Sequence, residues 1–163
     1  VPELQQLELR HAPALVRFER ENRAYFARFV PDRGDDYFAG FTARHVALLA
    51  EQAAGRCRFH VLVDEAGGVL ARFNLVDIAE GSADLGFRVA ERATGRGVAS
   101  DGVRAVCALA RDRYGLRRLF ASAALRNAGS LAVLRRTGFT PVGDVVLDGR
   151  PGRRHVRELT PDA

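Results

Sequence analysis

Apolar side chains follow helical spacing in the first third of the chain and strand spacing from about residue 59. Leu15, Phe18, Ala24, Tyr25 and Phe29 recur at near-helical intervals and Pro13 suits a first turn, which predicts a helix from Pro13 to about Phe29. Residues 7–10 read as a short strand before it. Pro31, Asp32, Arg33 and Gly34 break the period, and Phe41, Val46, Leu48 and Leu49 mark a second helix from about Phe38 to Ala53. Runs at 59–63, 69–78 and 83–89, joined by Asp64-Glu65-Ala66-Gly67-Gly68 and Glu80-Gly81-Ser82, predict an antiparallel meander. Helical spacing returns over 98–114 and, briefly, over 130–137, where Gly138 reads as a left-handed cap. A strand at 119–123 lies between these helices. Segments 139–147 and 155–159 flank a last hairpin at Asp148-Gly149-Arg150-Pro151-Gly152. A strand-helix-strand unit inside an antiparallel sheet requires one parallel pairing. The expected fold is therefore α/β (α+β): a mixed, mostly antiparallel sheet of about seven strands with helices on both faces. The 163 residues suit a single domain over 1–163.

Candidate chemistry enters at Arg92–Ser100, which reads RATGRGVAS. A glycine inside a helix costs about 1 kcal/mol against alanine, so two at a helix mouth need a reason. A Walker-type phosphate loop needs a lysine after its second glycine, and the chain contains no lysine. A dinucleotide fingerprint needs a strand running directly into the first glycine and an acidic residue about 20 positions on. Glu91-Arg92-Ala93-Thr94 intervenes, and that acidic residue is missing. What remains is the longer pattern Arg92-x-x-Gly95-x-Gly97 after the strand Leu85-Gly86-Phe87-Arg88-Val89. Amides at such a mouth converge on an anion and the helix dipole adds partial positive charge; glycines let a diphosphate lie against the backbone.

The pattern resembles the acetyl-coenzyme A (acetyl-CoA) loop of the GNAT superfamily of N-acetyltransferases. Two further segments resemble the same family in the right order: Asn127-Ala128-Gly129-Ser130 with Gly138-Phe139, and Ala83-Asp84-Leu85-Gly86-Phe87. The stretches Phe18–Phe26 and Phe29-Val30-Pro31 are similar to the subgroup that includes N-terminal acetyltransferases of ribosomal proteins. The resemblance implies a GNAT fold and direct acetyl transfer from acetyl-CoA to an amine acceptor, preferably a protein or peptide N-terminus. The alternatives are a small amine or antibiotic as acceptor, or a non-catalytic acyl-CoA-binding regulatory module. It implies cofactor contacts at Phe87, Arg88, Val89, Arg92, Gly95, Arg96, Gly97, Val98, Ala99, Asn127 and Ser130, and acceptor contacts near Phe26, Phe29 and Asn74. A homodimer is compatible with the subgroup.

Catalytic groups follow less directly. Asp84 is the candidate base, acting directly or through a water; the plainer alternative is that it pairs with an arginine. Many family members protonate the leaving thiolate with a tyrosine seven positions after the asparagine. Leu134 stands there, which leaves Ser130, whose plainer role would be a helix cap.

Charge modifies this picture little. The net charge of +5 would suit nucleic acid, but all 25 basic residues are arginine and Ile78 is the sole isoleucine, the composition of a GC-rich genome. The arginines are spread along the chain, and nucleic-acid binding is not expected. His11, His45, His60 and His155 are scattered without ligand spacing and Cys57 and Cys107 stand far apart, so no metal is expected. Without an apolar run of about 20 residues or a leader pattern, no membrane association and a cytoplasmic location are expected.

Overall fold

The computed structural model describes residues 1–159; the last four residues of the expected 1–163 domain lie outside them. Seven strands form one sheet in the order β1-β2-β3-β4-β5-β7-β6. They are β1 Glu3–Gln6, β2 Arg58–Val63, β3 Val69–Ala79, β4 Ser82–Val89, β5 Arg118–Ala124, β6 Thr140–Leu147 and β7 Arg150–Glu158. Every neighbouring pair is antiparallel except β4 with β5.

Strand alternation distributes the core over two faces. On one, Ala71, Phe73 and Leu75 of β3 and Leu85 of β4 pack with Val103, Val106 and Cys107 of α5 (Val98–Asp112) and Leu134 of α6 (Ala128–Arg136). On the other, Phe59 and Val61 of β2 meet Leu15 and Phe18 of α1 (Ala12–Glu21), Phe26 of α2 (Arg23–Phe26) and Phe41 of α4 (Phe41–Ala53). A short α3, Asp35–Ala39, precedes α4. Burying each large side chain contributes about 1.5–3 kcal/mol before entropy is charged. Gly102 lets α5 lie flat on the sheet, because a Cβ there would enter the Phe73 ring.

Four expectations shift. The first strand is Glu3–Gln6, not 7–10: it is an edge strand, and its ladder to β2 forms through backbone pairing (Glu3 opposite Val63), whatever its polar side chains. Leu9–His11 is instead a 3₁₀ turn. The first helix does not run to Phe29. It breaks at Asn22 (φ −103°, ψ 8°), where the side-chain amide donates to Phe18 O while Oδ1 accepts from Glu91 N. The second helix breaks at Gly40, and the last hairpin is tighter than expected. Leu147 pairs with Arg150 across Asp148-Gly149, both at positive φ (52° and 76°), the geometry of a two-residue type I′ turn. Gly138 is left-handed as expected (φ 90°), with Phe139 N bonding Leu134 O and Gly138 N bonding Arg135 O.

Candidate active site

The parallel pair β4 and β5 makes the site by coming apart. Their pairing covers Ser82–Arg118, Ala83–Leu119 and Asp84–Phe120 and then stops. Beyond that point β4 stays with β3 as far as Val89 opposite Ala71, and β5 stays with β7 as far as Ala124 opposite Gly152. Ala90 N donates to Leu70 O, so by strand alternation the backbone groups of Arg88 and Gly86 also point to β3. Those of Val89, Phe87 and Leu85 then face the gap, ready to pair with an extended ligand.

Two cavities occupy the opening. The first, about 600 Å³, is lined by Thr94, Gly95, Gly97, Val98, Ala99 and Ser100 at the mouth of α5, by Val89, and by Asn127, Gly129, Val133 and Arg136 of α6. The second, about 630 Å³, lies between Leu85–Arg88 of β4 and Ala121–Ala124 of β5. Asn74, Arg33, Arg72, Arg126, Leu147, Asp148 and Arg150 complete it. Phe29, Val30, Phe87, Arg88, Asn127 and Ser130 line both. The junction of the two chambers is therefore at the end of β4 and the first turn of α6.

Gly95 and Gly97 both have φ 76°, and Gly97 is the left-handed residue preceding α5. A side chain at Gly95 would meet nothing within 4 Å, and at Gly97 only Asp101 Oδ2 at 3.9 Å. The glycines thus answer two needs: a backbone turn that other residues adopt at a cost, and open space over the amides. Gly86 is also bare toward the second cavity. This fits a diphosphate at the mouth of α5 and an extended arm along β4.

Asn127 caps α6, its Oδ1 accepting from Ser130 N at 3.2 Å. Ser130 is therefore not the cap, and its hydroxyl makes no hydrogen bond among the described residues. Leu134 is 1 % exposed and belongs to the core wall.

Other expected residues are spread more widely. Asp84 lines neither cavity; its half-exposed carboxylate meets Arg154 Nη2 at 3.4 Å, and Arg154 lies over the Phe120 ring. Arg92 turns to Asp64 at 3.5 Å, and neither it nor Arg96 lines a cavity. Phe26 lines the first cavity, Phe29 both, and Asn74 the second.

A buried ionic cluster lies under the second cavity. Glu19 of α1, 1 % exposed, accepts from Arg72 at 2.9 Å, Arg88 at 3.3 Å and Arg33 at 3.4 Å. Burial pushes the Glu19 carboxyl up, but the three guanidinium groups outweigh it and the net shift is downward. Arg88, lying over the Phe26 ring, is lowered to about 10, first by desolvation and then by Arg33. Sequence reasoning had Arg88 only as a cofactor contact and missed Glu19, Arg33 and Arg72. The signal was present: Glu19 falls on the Leu15-Phe18-Asn22-Phe26 stripe of α1 and α2, and an acid facing the core demands cationic partners. Arg136 at the glycine mouth was also missed.

Among the described residues no helix is long and apolar enough to cross a membrane. Residues 3–140 match the acetyltransferase (GNAT) domain. A probable N-acetyltransferase of Bacillus subtilis (strain 168), YjcK, is 27% identical over 143 residues, covering 84% of this chain and 79% of that protein. Among solved structures, the ribosomal-protein-S5-alanine acetyltransferase of Vibrio fischeri superposes with a TM-score of 0.88 at 18% identity, over 97% of this chain and 96% of that one. Mycobacterium smegmatis RimJ, in complex with CoA-disulfide, gives 0.84 at 23%, over 95% and 80%. A variant of the spermidine N-acetyltransferase of Vibrio cholerae gives 0.77 at 14%, over 96% and 95%. At these identities the structures share the fold. With the domain match spanning most of its length, the chain belongs to the acetyltransferase (GNAT) domain family and is an N-acetyltransferase.

Proposed function

We propose that this chain, as one domain over residues 1–163, moves an acetyl group from acetyl-CoA to the N-terminal amine of a protein or peptide. The observation that carries this reading is the divergence of β4 from β5, with two chambers that meet only at its end. One chamber suits an anionic cosubstrate and leaves the other for the acceptor.

The cosubstrate's diphosphate would lie on the amides of Gly95, Gly97, Val98 and Ala99, with Arg92, Arg96 and Arg136 supplying nearby positive charge. Its pantetheine arm would pair with the gap-facing groups of Phe87 and Val89, beside Arg88 and above Asn127. When bound, acetyl-CoA supplies the activated acetyl carbon. In the other chamber Asn74 Oδ1, a buried acceptor without a partner among the described residues, would receive an amine N–H, and Phe29 would wall the approach, while Phe26 lies on the cosubstrate side. The C–N bond forms as the C–S bond breaks; the amine loses one proton and the thiolate gains one. The Ser130 hydroxyl, at the junction, donates a hydrogen bond to the departing sulfur and relays that proton from solvent.

The weak provision for a base favours an α-amine. At neutral pH roughly a tenth or more of α-amines (pKa near 8) are uncharged, against well under a hundredth of lysine-type amines (pKa near 10.4). Asp84, tied to Arg154 outside both chambers, would act through a water from the rim. The nearby arginines lower the pKa of a bound ammonium further.

The test is release of free CoA thiol from acetyl-CoA across N-terminal peptides, spermidine and aminoglycosides. Turnover with peptides whose product carries an Nα-acetyl group supports the reading. Turnover confined to small amines moves the acceptor class, and CoA binding without turnover on any amine favours a non-catalytic acyl-CoA module. Light scattering of the same preparation tests the homodimer.

A further inference from the structure

The second cavity carries far more positive charge than an amine acceptor needs. Five arginines line it (Arg33, Arg72, Arg88, Arg126 and Arg150) against one carboxylate, Asp148. Among the described residues Glu19 is the one acid that ion-pairs with Arg33, Arg72 and Arg88, so the three guanidinium groups exceed that shared partner by two charges. Among the described residues Arg126 hydrogen-bonds only the Phe29 carbonyl, at 3.4 Å.

The donors are also underused. Arg33 reaches Glu19 at 3.4 Å from Nε and 3.5 Å from Nη2, and Arg88 at 3.3 Å; both keep most of their five N–H groups. The side chain of Arg72 is 6% exposed. Its Nη1 holds Glu19 and the Tyr37 hydroxyl, yet Nε has no partner among the described residues. A buried donor left unpaired costs about 1–3 kcal/mol, so the floor of the cavity is short of acceptors. Two residues along the same face of β3, Asn74 Oδ1 is an unpaired acceptor. The two orphans are therefore one donor and one acceptor, carried by residues whose backbones stand about 7 Å apart along the strand.

We propose that the acceptor is an acidic peptide N-terminus: its α-amine is held at Asn74 and the carboxylate of its second residue lies on Arg33, Arg72 and Arg88. This rests on the N-terminal acetyl-transfer reading and adds the charge of the acceptor to it. A guanidinium fork binds a carboxylate through two parallel bonds, so the surplus also orients the peptide. A polycation such as spermidine meets the same field as a repulsion.

The experiment uses C-terminally amidated tetrapeptides that begin with alanine and differ only in Glu, Gln or Lys at the second position, with spermidine as a further acceptor. The expected order of kcat/KM is Glu above Gln above Lys. The Glu–Gln ratio should be about tenfold or more, mostly in KM, which is about 1.4 kcal/mol. It should shrink between about 0.05 and about 0.5 M salt. Arg72→Gln risks unfolding the Glu19 cluster, so the variant is Arg33→Gln, at a residue whose side chain is 25% exposed. It should narrow the Glu–Gln ratio several-fold while the thermal melt stays within a few degrees. Equal kcat/KM for Glu and Gln, or a preference for Lys or spermidine, overturns the proposal and leaves acetyl transfer standing. If no peptide is acetylated, the transfer reading fails. The charge preference is then decided by calorimetric affinities of the same peptides, where equal values for Glu and Gln overturn it.

Discussion

At the scale of single residues, the site's demands are unequal. Ser130 lies at the junction of both cavities with its hydroxyl free because Asn127 does the capping. Ser130→Ala should lower kcat by about 100-fold, the lower end for a proton-handling group, with KM for acetyl-CoA little changed. Steady-state kinetics with a peptide acceptor checks this, and an unaltered kcat removes Ser130 from the mechanism. Asp84→Ala should have the smaller effect, because its carboxylate is tied to Arg154 outside both chambers. Gly97 poses a different problem. At φ 76° an alanine is strained by about 1–2 kcal/mol, and its Cβ would stand in the space over the amides. Gly97→Ala should therefore raise the KM for acetyl-CoA about tenfold or more while kcat at saturation falls less. An unchanged acetyl-CoA KM would separate the glycine mouth from cosubstrate binding.

At the scale of elements, regular pattern was legible and interruption was not. The meander, α5, the α6 cap and the Arg92–Gly97 mouth could be read because each depends on near neighbours: alternation, helical spacing, a left-handed glycine. The break at Asn22 could not, since it depends on Glu91 N, 69 positions away, donating to its side-chain Oδ1. β1 was placed too late along the chain because an edge strand takes its order from a partner's backbone and not from its own apolar pattern. The splay of β4 from β5 has no local signature at all, and the orphaned donor of Arg72 appears only once α1 brings Glu19 beneath the sheet. Gly102 is a further case. Its helical position invites alanine for about 1 kcal/mol of propensity, but Phe73 fills the place of the Cβ. Gly102→Ala should destabilise the protein by about 1–3 kcal/mol net, as overpacked cores do, with a lower urea midpoint and an unchanged m-value. A gain in stability would mean that α5 lifts freely from the sheet, and the spacing of the first cavity's wall with it.

At the scale of the whole molecule, acid should act on both faces of the sheet in succession. His60 on β2 is 1% exposed. Its Nδ1 faces the Phe73 carbonyl, which can only accept, so Nδ1 carries the proton and Nε2 accepts from the Tyr114 hydroxyl. A neutral ring satisfied on both sides has no place for a second proton, and burial lowers its pKa to about 4 from an ordinary 6.5. Between those values the unfolded chain binds a proton that the folded chain refuses. Stability is therefore full above about pH 6.5 and falls as the pH drops toward 4, by about 3 kcal/mol at 1.36 kcal/mol per unit. His11, also lowered by burial and by Arg10, adds to the same window. Glu19 acts later. Its folded pKa lies below the unfolded 4.5, so its contribution is present above that value and disappears as pH falls through the folded one. Urea unfolding from about pH 7.5 down to about pH 3.5 should thus show a decline beginning near pH 6.5 and steepening below about 4.5. In His60→Gln the upper part of that decline should become shallower, leaving only the share of His11, because glutamine takes no proton in either state, while the lower part persists. A wild-type stability flat from about pH 7 to about pH 4.5 would mean that His60 accepts its second proton in place, and the hydrogen bonds that tie β2 to β3 and to Tyr114 after α5 would have to be redrawn around an imidazolium.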